Sequence, residues 1–298
     1  MKAVLSMMHS VPNDSVRVLV DLAYQEDLKG GIDATSDLLI SPESRGAALI
    51  VARDSGVVCG VELISVIIER FSADISVSES IKDGTPVEPG DVAAKLQGKT
   101  IDLLKIERTV LNFLGRLSGV SSLTHEFVQA TENTNAKIYD TRKTTPGWRA
   151  LEKYAVACGG GVNHRMGLFD AVLIKDNHLA AIGSKEENSE EWIDRLETAF
   201  RRVREQNPGM IVQIEVDTLD QFKQVLPLAP DIILLDNMSV EEMSQAVSLR
   251  GDLKVELEAS GGVNLNTVAA IASSGVDRIS VGALTHSAVN FDWGLDWS

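Results

Sequence analysis

The sequence is poor in cysteine and in positive charge, and it has no long apolar run. Of its 298 residues only Cys59 and Cys158 are cysteines. Neither belongs to a C-x-x-C motif, so a disulfide scaffold or a zinc site is not expected. No stretch reaches about 18 consecutive apolar residues, which predicts no transmembrane helix. Residues 1–15 lack a signal-peptide core and an A-x-A site, so we expect a cytoplasmic protein.

The net charge of -15 is unevenly distributed along the chain. A negative net charge argues against nucleic acid and anionic membranes as main partners. Residues 139–178 contain six Lys or Arg and four Asp or Glu, so this segment carries +2 while the rest carries -17. Solvated helix faces would account for some of these cations. A local excess of positive charge in an acidic chain also favours a focused anion site.

The second half of the chain alternates between β-rich runs and helical patterns. The last four runs have centres about 20 to 23 residues apart, with apolar stripes of helical spacing between them, which is typical of parallel βα units. Runs that are apolar throughout, such as "IILLD", fit strands covered on both faces. The six β-rich runs are 137–143, 171–176, 210–216, 232–236, 254–260 and 278–282.

The first 110 residues have a different pattern. The stretch "AALIVARDSGVVCGVEL" is β-rich with a Gly-containing turn, and residues 76–98 place Gly-Thr-Pro and Pro-Gly-Asp turns between short runs. We expect a smaller α/β domain with antiparallel strands here. Leu111, Leu114, Leu117 and Val120 then predict a helix that leads into the second domain.

Polar and small residues stand at the carboxyl ends of all six runs. In βα barrels the active site forms at this edge, so we expect these residues to share one site. They are Arg142 with Lys143, Lys175, Glu215, Asp236, Ser260-Gly261-Gly262, and Gly282 with Ala283.

Two glycine-containing turns among them suit phosphate binding. The run "ASGGVN" (259–264) follows a strand and is expected to open a helix, where small residues let backbone N–H groups approach an anion. The run "SVGALTHS" (280–287) offers a second such turn, and barrels often bind phosphate after their last two strands. A plain turn is the alternative for either run alone.

The carboxylates Glu215 and Asp236 end neighbouring runs, so their side chains can approach each other. Paired carboxylates can hold Mg²⁺, bind sugar hydroxyls or share a proton.

Cations would oppose these carboxylates. Arginine suits bidentate binding of carboxylate or phosphate, and lysine acts as a point charge. Arg142, Lys143, Arg165 and Lys175 therefore predict a site for a phosphorylated sugar and a polycarboxylate. For His164, a role in the site and a structural role both stay open.

Six stretches of the sequence resemble the quinolinate phosphoribosyltransferase family and together span nearly the whole chain in order. They are "ERTVLNFLGRLSGV" (107–120), "DTRKTTPGWRALEKYAVACGGGVNHRMGLFDAVLIKDNH" (140–178), "IEVDTLDQ" (214–221), "LLDNMS" (234–239), "LEASGGVN" (257–264) and "SVGALTHS" (280–287).

The resemblance implies a fold, a reaction and partners. Residues 1–115 would form an N-terminal α/β sandwich domain, joined by the tail 284–298, and residues 116–283 an incomplete parallel α/β barrel with the active site. The reaction would join quinolinate and phosphoribosyl pyrophosphate, giving nicotinate mononucleotide, pyrophosphate and CO2 in de novo NAD synthesis. Mg²⁺ would accompany the pyrophosphate. A homodimer would be the minimal unit.

The resemblance also implies residue roles. Catalytic roles fall to Lys143, Lys175, Glu215 and Asp236, of which the two carboxylates would also hold Mg²⁺. Substrate binding falls to Arg108, Thr141, Arg142, Lys143, His164, Arg165, Lys175, Glu215, Asp236, Ser260, Gly261, Gly262, Gly282, Ala283 and His286.

Arg108 is expected to act in the partner subunit's site. It stands at the expected start of a helix, where a cation opposes the helix dipole, so stability alone would not favour it. The resemblance implies that this arginine reaches quinolinate across the dimer interface. Pairing with Glu107 or simple solvation is the alternative.

Three other functions remain open from the residues. A related phosphoribosyltransferase would use another acceptor. A Schiff-base aldolase would use Lys175 as its nucleophile at a strand end. A non-catalytic sensor would bind phosphoribosyl pyrophosphate without consuming it.

Overall fold

The computed structural model of the chain describes residues 13–182 and 189–298. Two compact units are present. The first contains Met1–Glu126, Lys143–Gly161 and Leu284–Ser298, and the second contains Phe127–Arg142 and Val162–Ala283. Residues 1–12, part of the segment considered for a targeting signal, lie outside the described residues.

An antiparallel sheet of four strands forms the centre of the first unit. Its order is β12-β1-β5-β3, so a strand from the C-terminal tail lies at one edge. A two-stranded ladder, β2 with β4, accompanies it. The strands are β1 (Arg45–Ala52), β2 (Gly56–Val57), β3 (Ile75–Ser80), β4 (Pro86–Val87), β5 (Val92–Lys99) and β12 (Trp293–Trp297).

Helices accompany this sheet in the chain. They are α1 (Asn13–Asp27), α2 (Ser36–Leu39), α3 (Leu63–Phe71), α4 (Thr100–Ala130) and α5 (Arg149–Cys158), with a 3₁₀ turn at Lys29–Gly31. The boundary between the units falls within the long helix α4, after Glu126.

The start of α4 corrects one expectation. The helix begins at Thr100, directly after β5, so Arg108 lies inside it and not in its first turn. Arg108 therefore does not oppose the helix dipole as a cation in the first turn would. The predicted apolar stripe from Leu111 to Val120 is confirmed, because all four of its residues are buried.

The second unit is built on six parallel strands. Their order is β6-β11-β10-β9-β8-β7, which is the cyclic order of a barrel interrupted between β6 and β7. All six predicted runs are confirmed as strands, and their number matches an incomplete barrel. They are β6 (Lys137–Tyr139), β7 (Ala171–Ile174), β8 (Ile211–Val216), β9 (Ile232–Asp236), β10 (Glu256–Ser260) and β11 (Arg278–Ser280).

Helices follow these strands along the chain, and three of them lie at the apolar stripes predicted between the last four strands. The side chain of Thr218 caps α8, and Ser239 with Glu242 forms a capping box at α9, which satisfies backbone groups that a helix start leaves unpaired. The helices are α6 (Asp176–Ile182), α7 (Ser189–Gln206), α8 (Leu219–Val225), α9 (Val240–Arg250), α10 (Val268–Ser273) and α11 (Ala283–His286), with a 3₁₀ turn at Leu226–Leu228.

Candidate active site

The carboxyl ends of the six parallel strands meet at one edge of the second unit's sheet. Strand register fixes which residues are neighbours there. Glu215 lies opposite Leu234, and Asp236 lies opposite Ser260. Asp236 therefore stands two positions beyond Glu215 along the sheet, and both side chains project from the same face because strand side chains alternate.

Each of these carboxylates has a polar partner. Glu215 is buried, and its Oε2 accepts a hydrogen bond of 2.7 Å from Nζ of Lys175, a half-exposed side chain at the end of the neighbouring strand β7. The Oδ2 atom of Asp236 accepts a bond of 2.6 Å from Nδ2 of Asn237. The two carboxylates therefore have different settings. Glu215 belongs to an ion pair with Lys175, and Asp236 is a separate carboxylate two positions farther along the sheet.

The arginines of the second unit form a cationic group. Arg165 donates from Nη1 to the carbonyl of Ala171 at 3.0 Å. Its partial burial lowers the pKa of Arg165, and the charge of Arg142 lowers it further. Two guanidinium groups close enough to repel each other are favourable beside a bound anion. Arg142 follows Thr141 in the loop after β6.

The stretch from Lys143 to Arg149 belongs to the first unit, since the boundary falls between Arg142 and Lys143. Buried Glu152 holds this loop, because it accepts hydrogen bonds from the backbone N–H of Thr145 at 3.0 Å and from its hydroxyl at 2.9 Å. Arg116 balances the charge of Glu152 at 2.5 Å. The ion pair of Arg116 with buried Glu152 therefore holds the loop that carries Lys143 in place.

The remaining predicted site residues of the first unit have local contacts. Lys143 is exposed, and its carbonyl accepts a bond of 2.8 Å from the hydroxyl of Thr285. Nδ1 of His286 lies 2.7 Å from the hydroxyl of Ser287. Arg108 is exposed and forms no ion pair with any residue that the structure describes, so the simple pairing with Glu107 is not found there.

The glycine turn after β10 is tightly built. Gly261 has φ of +94° and Gly262 has φ of +59°, the left-handed region that favours glycine. A Cβ atom at Gly261 would lie 2.1 Å from Oδ1 of Asn237. One expectation is wrong, because the helix does not open at this turn: α10 begins only at Val268. The turn after β11 does lead directly into α11, at Ala283.

Sequence reasoning missed a buried ionic cluster formed by Glu258, His164, Arg278 and Ser280. Glu258 has no solvent exposure. Its Oε1 lies 3.3 Å from Nε2 of His164, and its Oε2 accepts a bond of 2.8 Å from Nε of Arg278. The hydroxyl of Ser280 donates to Oε1. The guanidinium of Arg278 also stacks on the ring of Tyr139, 3.8 Å from its centroid.

The charge of Glu258 is strongly stabilised. Burial alone would raise the pKa of this carboxyl, but the hydrogen bond from His164 outweighs it, together with the charge of Arg278 and the hydroxyl of Ser280. The result is a pKa of about 2. Glu258 is therefore an anion at every physiological pH.

Hydrogen bonds assign the protonation of His164. Its Nδ1 accepts a bond of 2.8 Å from the backbone N–H of Arg165, so the ring proton is on Nε2, which faces Glu258. The backbone N–H of His164 in turn donates to Asp140 at 2.8 Å. The ring therefore supports the backbone of Arg165, and a contact between His164 and substrate stays a prediction. His178 makes a similar bond, because its Nδ1 accepts from the backbone N–H of Lys175 at 2.9 Å.

The chain matches known proteins over most of its length. The family model described as quinolinate phosphoribosyl transferase, N-terminal domain, matches residues 33–118, and that of the C-terminal domain matches residues 120–296. A nicotinate-nucleotide pyrophosphorylase (carboxylating) from Mycobacterium leprae is 41% identical over 95% of this chain and 97% of its own. A probable one from Bacillus subtilis is 37% identical over 94% and 93%.

The chain belongs to the quinolinate phosphoribosyltransferase family. The resemblance drawn from the six sequence stretches is confirmed. The solved structure of the nicotinate-nucleotide pyrophosphorylase from Francisella tularensis has the same fold, with a TM-score of 0.89, 35% identity and coverage of 98% of this chain and 99% of that one. Within residues 13–182 and 189–298, no helix has the length and apolar character needed to cross a membrane.

Proposed function

We propose that this member of the quinolinate phosphoribosyltransferase family joins quinolinate to phosphoribosyl pyrophosphate. The products are nicotinate mononucleotide, pyrophosphate and CO2, and the reaction serves de novo NAD synthesis. Family membership supports the proposal, as do the names of the relatives from Mycobacterium leprae and Bacillus subtilis. Two observations carry it: Arg142 lies beside Arg165, and Lys175 is paired with Glu215 where strands β7 and β8 end.

Quinolinate carries two adjacent carboxylates, which match a cationic group. The guanidinium groups of Arg142 and Arg165 bind them, and the hydroxyl of Thr141 and the ammonium of Lys143 complete the clamp. His164 positions this clamp by fixing the backbone of Arg165. Two charge-assisted contacts on one ring fix its orientation, so that the pyridine nitrogen faces C1 of the ribose.

The phosphoribosyl group binds at the two glycine-containing turns. The backbone N–H groups of Gly261, Gly262, Gly282 and Ala283 bind the 5-phosphate, with the hydroxyl of Ser260 and the ring of His286 beside it. These turns follow the adjacent strands β10 and β11, whose register places Ala259 opposite Ile279. The absence of a side chain at Gly261 lets the backbone approach a phosphate oxygen.

The reaction begins when the pyridine nitrogen forms a bond to C1 of the ribose and the bond from C1 to the pyrophosphate oxygen breaks. Positive charge develops on the ribose as pyrophosphate leaves. The carboxylates of Glu215 and Asp236 stabilise that charge, directly or through the ribose hydroxyls. Lys175 holds Glu215 in place and offers a cation to the leaving pyrophosphate.

Mg²⁺ suits this site by the chemistry of the donors. Glu215 and Asp236 offer carboxylate oxygens, which Mg²⁺ prefers, although Lys175 shares Glu215. Among the residues that the structure describes, these carboxylates do not belong to any cluster of three metal-ligating side chains. Mg²⁺ would therefore complete its shell with substrate phosphates and water, as it commonly does, and would neutralise the departing pyrophosphate.

Loss of CO2 needs little from the protein. Once its nitrogen is alkylated, the ring is cationic and accepts the electron pair from the bond to the 2-carboxylate. CO2 departs, and the ring carbon takes a proton from solvent.

A homodimer completes the site in this proposal, with Arg108 contributed by the partner subunit. Its exposed position on α4 and its lack of an ion partner among the described residues support an intermolecular role. A cytoplasmic location also stays a proposal, since a relative from Arabidopsis thaliana is named chloroplastic and one from Nicotiana glauca mitochondrial.

The ion pair between Lys175 and Glu215 argues against the aldolase alternative. The ammonium of Lys175 is bonded to Glu215 at 2.7 Å, and an ion-paired ammonium has no lone pair with which to attack a carbonyl. The test of the proposal is to incubate the protein with quinolinate, phosphoribosyl pyrophosphate and Mg²⁺ and to identify products by mass spectrometry. Nicotinate mononucleotide supports it. Consumption of another pyridine or purine acceptor in place of quinolinate, or binding without turnover, contradicts it.

A further inference from the structure

The first unit holds a second group of reactive side chains that the proposed reaction does not use. A cavity of about 880 Å³ opens beside Asp83, Tyr154 and Cys158, and Lys82 and Glu62 also line it. Cys59 lies next to this wall and is completely buried. The fold thus brings together both cysteines of the chain, which stand 99 positions apart in sequence.

Three of these side chains converge at distances suited to one metal ion. The sulfurs of Cys59 and Cys158 and a carboxylate oxygen of Asp83 all lie within 4.8 Å of one another. Ligands around a tetrahedral zinc ion stand about 2.0–2.3 Å from the metal, and therefore roughly 3.3–3.8 Å from each other. A small contraction around an ion would reach that spacing.

The surroundings of Asp83 hold its carboxylate in place. Its Oδ1 accepts a bond of 2.9 Å from the backbone N–H of Val61, and its Oδ2 accepts from the backbone N–H of Gly60 at 2.9 Å. The hydroxyl of Tyr154 also donates to Oδ2 at 2.9 Å. Ligating carboxylates are typically held by outer hydrogen bonds of this kind, which orient them towards a metal.

A redox switch is the competing interpretation of two neighbouring thiols. Cys59 has no solvent exposure, so an oxidant in solution has little access to its sulfur, and a carboxylate oxygen of Asp83 lies within 4.8 Å of both sulfurs. A carboxylate supplies a third ligand to a cation but has no part in a disulfide.

We propose that Cys59, Asp83 and Cys158 form a binding site for one thiophilic divalent cation of the zinc type. Both thiols lose their protons to solvent on binding, and water from the adjacent cavity supplies the fourth ligand. The donor set of two thiolates and one carboxylate separates this site from the Mg²⁺ proposed at the strand edge, because Mg²⁺ prefers oxygen ligands only. The site does not depend on the proposed reaction.

Cobalt(II) is the probe, because thiolate ligands give it a charge-transfer band and tetrahedral geometry gives intense visible bands. The full-length protein, treated with chelator and kept in a phosphine reductant, is titrated with Co²⁺. We expect one ion per chain, both kinds of band, release of about two protons per ion, and displacement of Co²⁺ by Zn²⁺. Quinolinate and phosphoribosyl pyrophosphate are absent, so the result is independent of turnover.

Variants assign the ligands. Cys59→Ser and Cys158→Ser should each abolish stoichiometric binding. Tyr154→Phe, which keeps all three ligands and the fold, should weaken Co²⁺ binding about 10- to 100-fold through the lost outer hydrogen bond. Ser65→Ala, which alters the same cavity wall, should leave the affinity unchanged. The proposal is overturned if the unaltered protein gives no charge-transfer band, if Tyr154→Phe binds as tightly as the unaltered protein, or if protein purified without reductant contains a disulfide between Cys59 and Cys158.

Discussion

Nε2 of His164 lies 3.3 Å from Oε1 of Glu258, a carboxylate with no solvent exposure. The same carboxylate bonds to Arg278, whose side chain is 11% exposed. Glu258 thus joins the second unit's sheet to the loop that carries Arg165. In the proposed function, this buried anion orients the quinolinate-binding group without touching the substrate itself.

Replacing Glu258 by Gln should destabilise the protein strongly. The change leaves Arg278 buried without its full counter-charge, and breaking a buried pair on one side typically costs about 3–5 kcal/mol. Denaturant unfolding followed by circular dichroism measures this loss. Glu256→Gln is the matched control, because Glu256 also pairs with Arg278 but is 55% exposed, and such a change should cost less than about 1 kcal/mol.

The acid sensitivity of the protein provides the second half of this test. The pKa of Glu258 is lowered from 4.5 to about 2 in the folded state. Its contribution to stability is therefore fully present above pH 4.5 and is lost as pH falls from 4.5 towards 2. The slope of unfolding free energy against pH in that window should be smaller in Glu258→Gln. An unchanged slope would show that Glu258 has an ordinary pKa.

Removing Arg142 or Arg165 should weaken quinolinate binding. Loss of one charge-assisted contact typically costs about 1.5–3 kcal/mol, which corresponds to roughly 10- to 150-fold in dissociation constant. Calorimetry of Arg142→Ala and Arg165→Ala with quinolinate measures the effect. Lys137→Ala removes the same charge at the opposite end of β6 and should leave binding unchanged. If all three variants bind alike, the clamp has been assigned to the wrong residues.

Glu215→Gln and Asp236→Asn should lower turnover more than they weaken quinolinate binding. Both carboxylates act on charge that develops only as pyrophosphate departs, and losing one preorganised electrostatic group typically costs about 100-fold in turnover. Steady-state kinetics at saturating substrates measure this. Asp220→Asn, in an exposed ion pair with Lys223 on α8, serves as the control. Full turnover in either active-site variant would remove that carboxylate from the transition state.

Gly261→Ala should impair the use of phosphoribosyl pyrophosphate. The added Cβ would lie 2.1 Å from Oδ1 of Asn237, so the turn must shift. Its backbone N–H groups would then no longer point towards the 5-phosphate. The measurement is KM for phosphoribosyl pyrophosphate, which should rise more than KM for quinolinate. Gly209→Ala is a matched control, because Gly209 has φ of +91° but open space around its Cβ, so it reports left-handed strain alone. Equal effects of both variants would assign the loss to strain.

Most strands of the second unit were predictable because they are short and apolar, as in "AVLI" (β7) and "IILLD" (β9). Glu258 was missed for a related reason. An acidic residue that alternates with apolar ones in "KVELEAS" is typical of a solvent-facing position. Only the pairing of β10 with β11 brings Glu258 beside Arg278, and no local pattern encodes that contact.

A further error has a physical cause. The start of α4 was misplaced because β5 passes into the helix at Thr100 with no Gly or Pro between them to signal a boundary. The site proposed at Cys59 and Cys158 has no sequence signature, because metal-site rules rest on close spacing and these cysteines meet only through folding of the first unit.

Arg108 should act in the site of the partner subunit. Mixing Arg108→Ala protein with Lys143→Ala protein, under conditions that exchange subunits, then tests the dimer. A heterodimer would contain one site with both lesions and one with neither, so activity should recover towards half of the unaltered level. Two Arg108→Ala subunits labelled differently control for exchange itself. If exchange is verified and activity does not return, Arg108 acts within its own chain or has no role.

The stoichiometry of turnover is the sharpest test of the proposed reaction. Quinolinate labelled with ¹³C in its 2-carboxylate is supplied with phosphoribosyl pyrophosphate and Mg²⁺, and nicotinate mononucleotide, pyrophosphate and ¹³CO2 are measured together. We expect equal amounts of all three and no product when nicotinate replaces quinolinate. Turnover of nicotinate, nucleotide formed without release of ¹³CO2, or phosphoribosyl pyrophosphate bound but never consumed would contradict it.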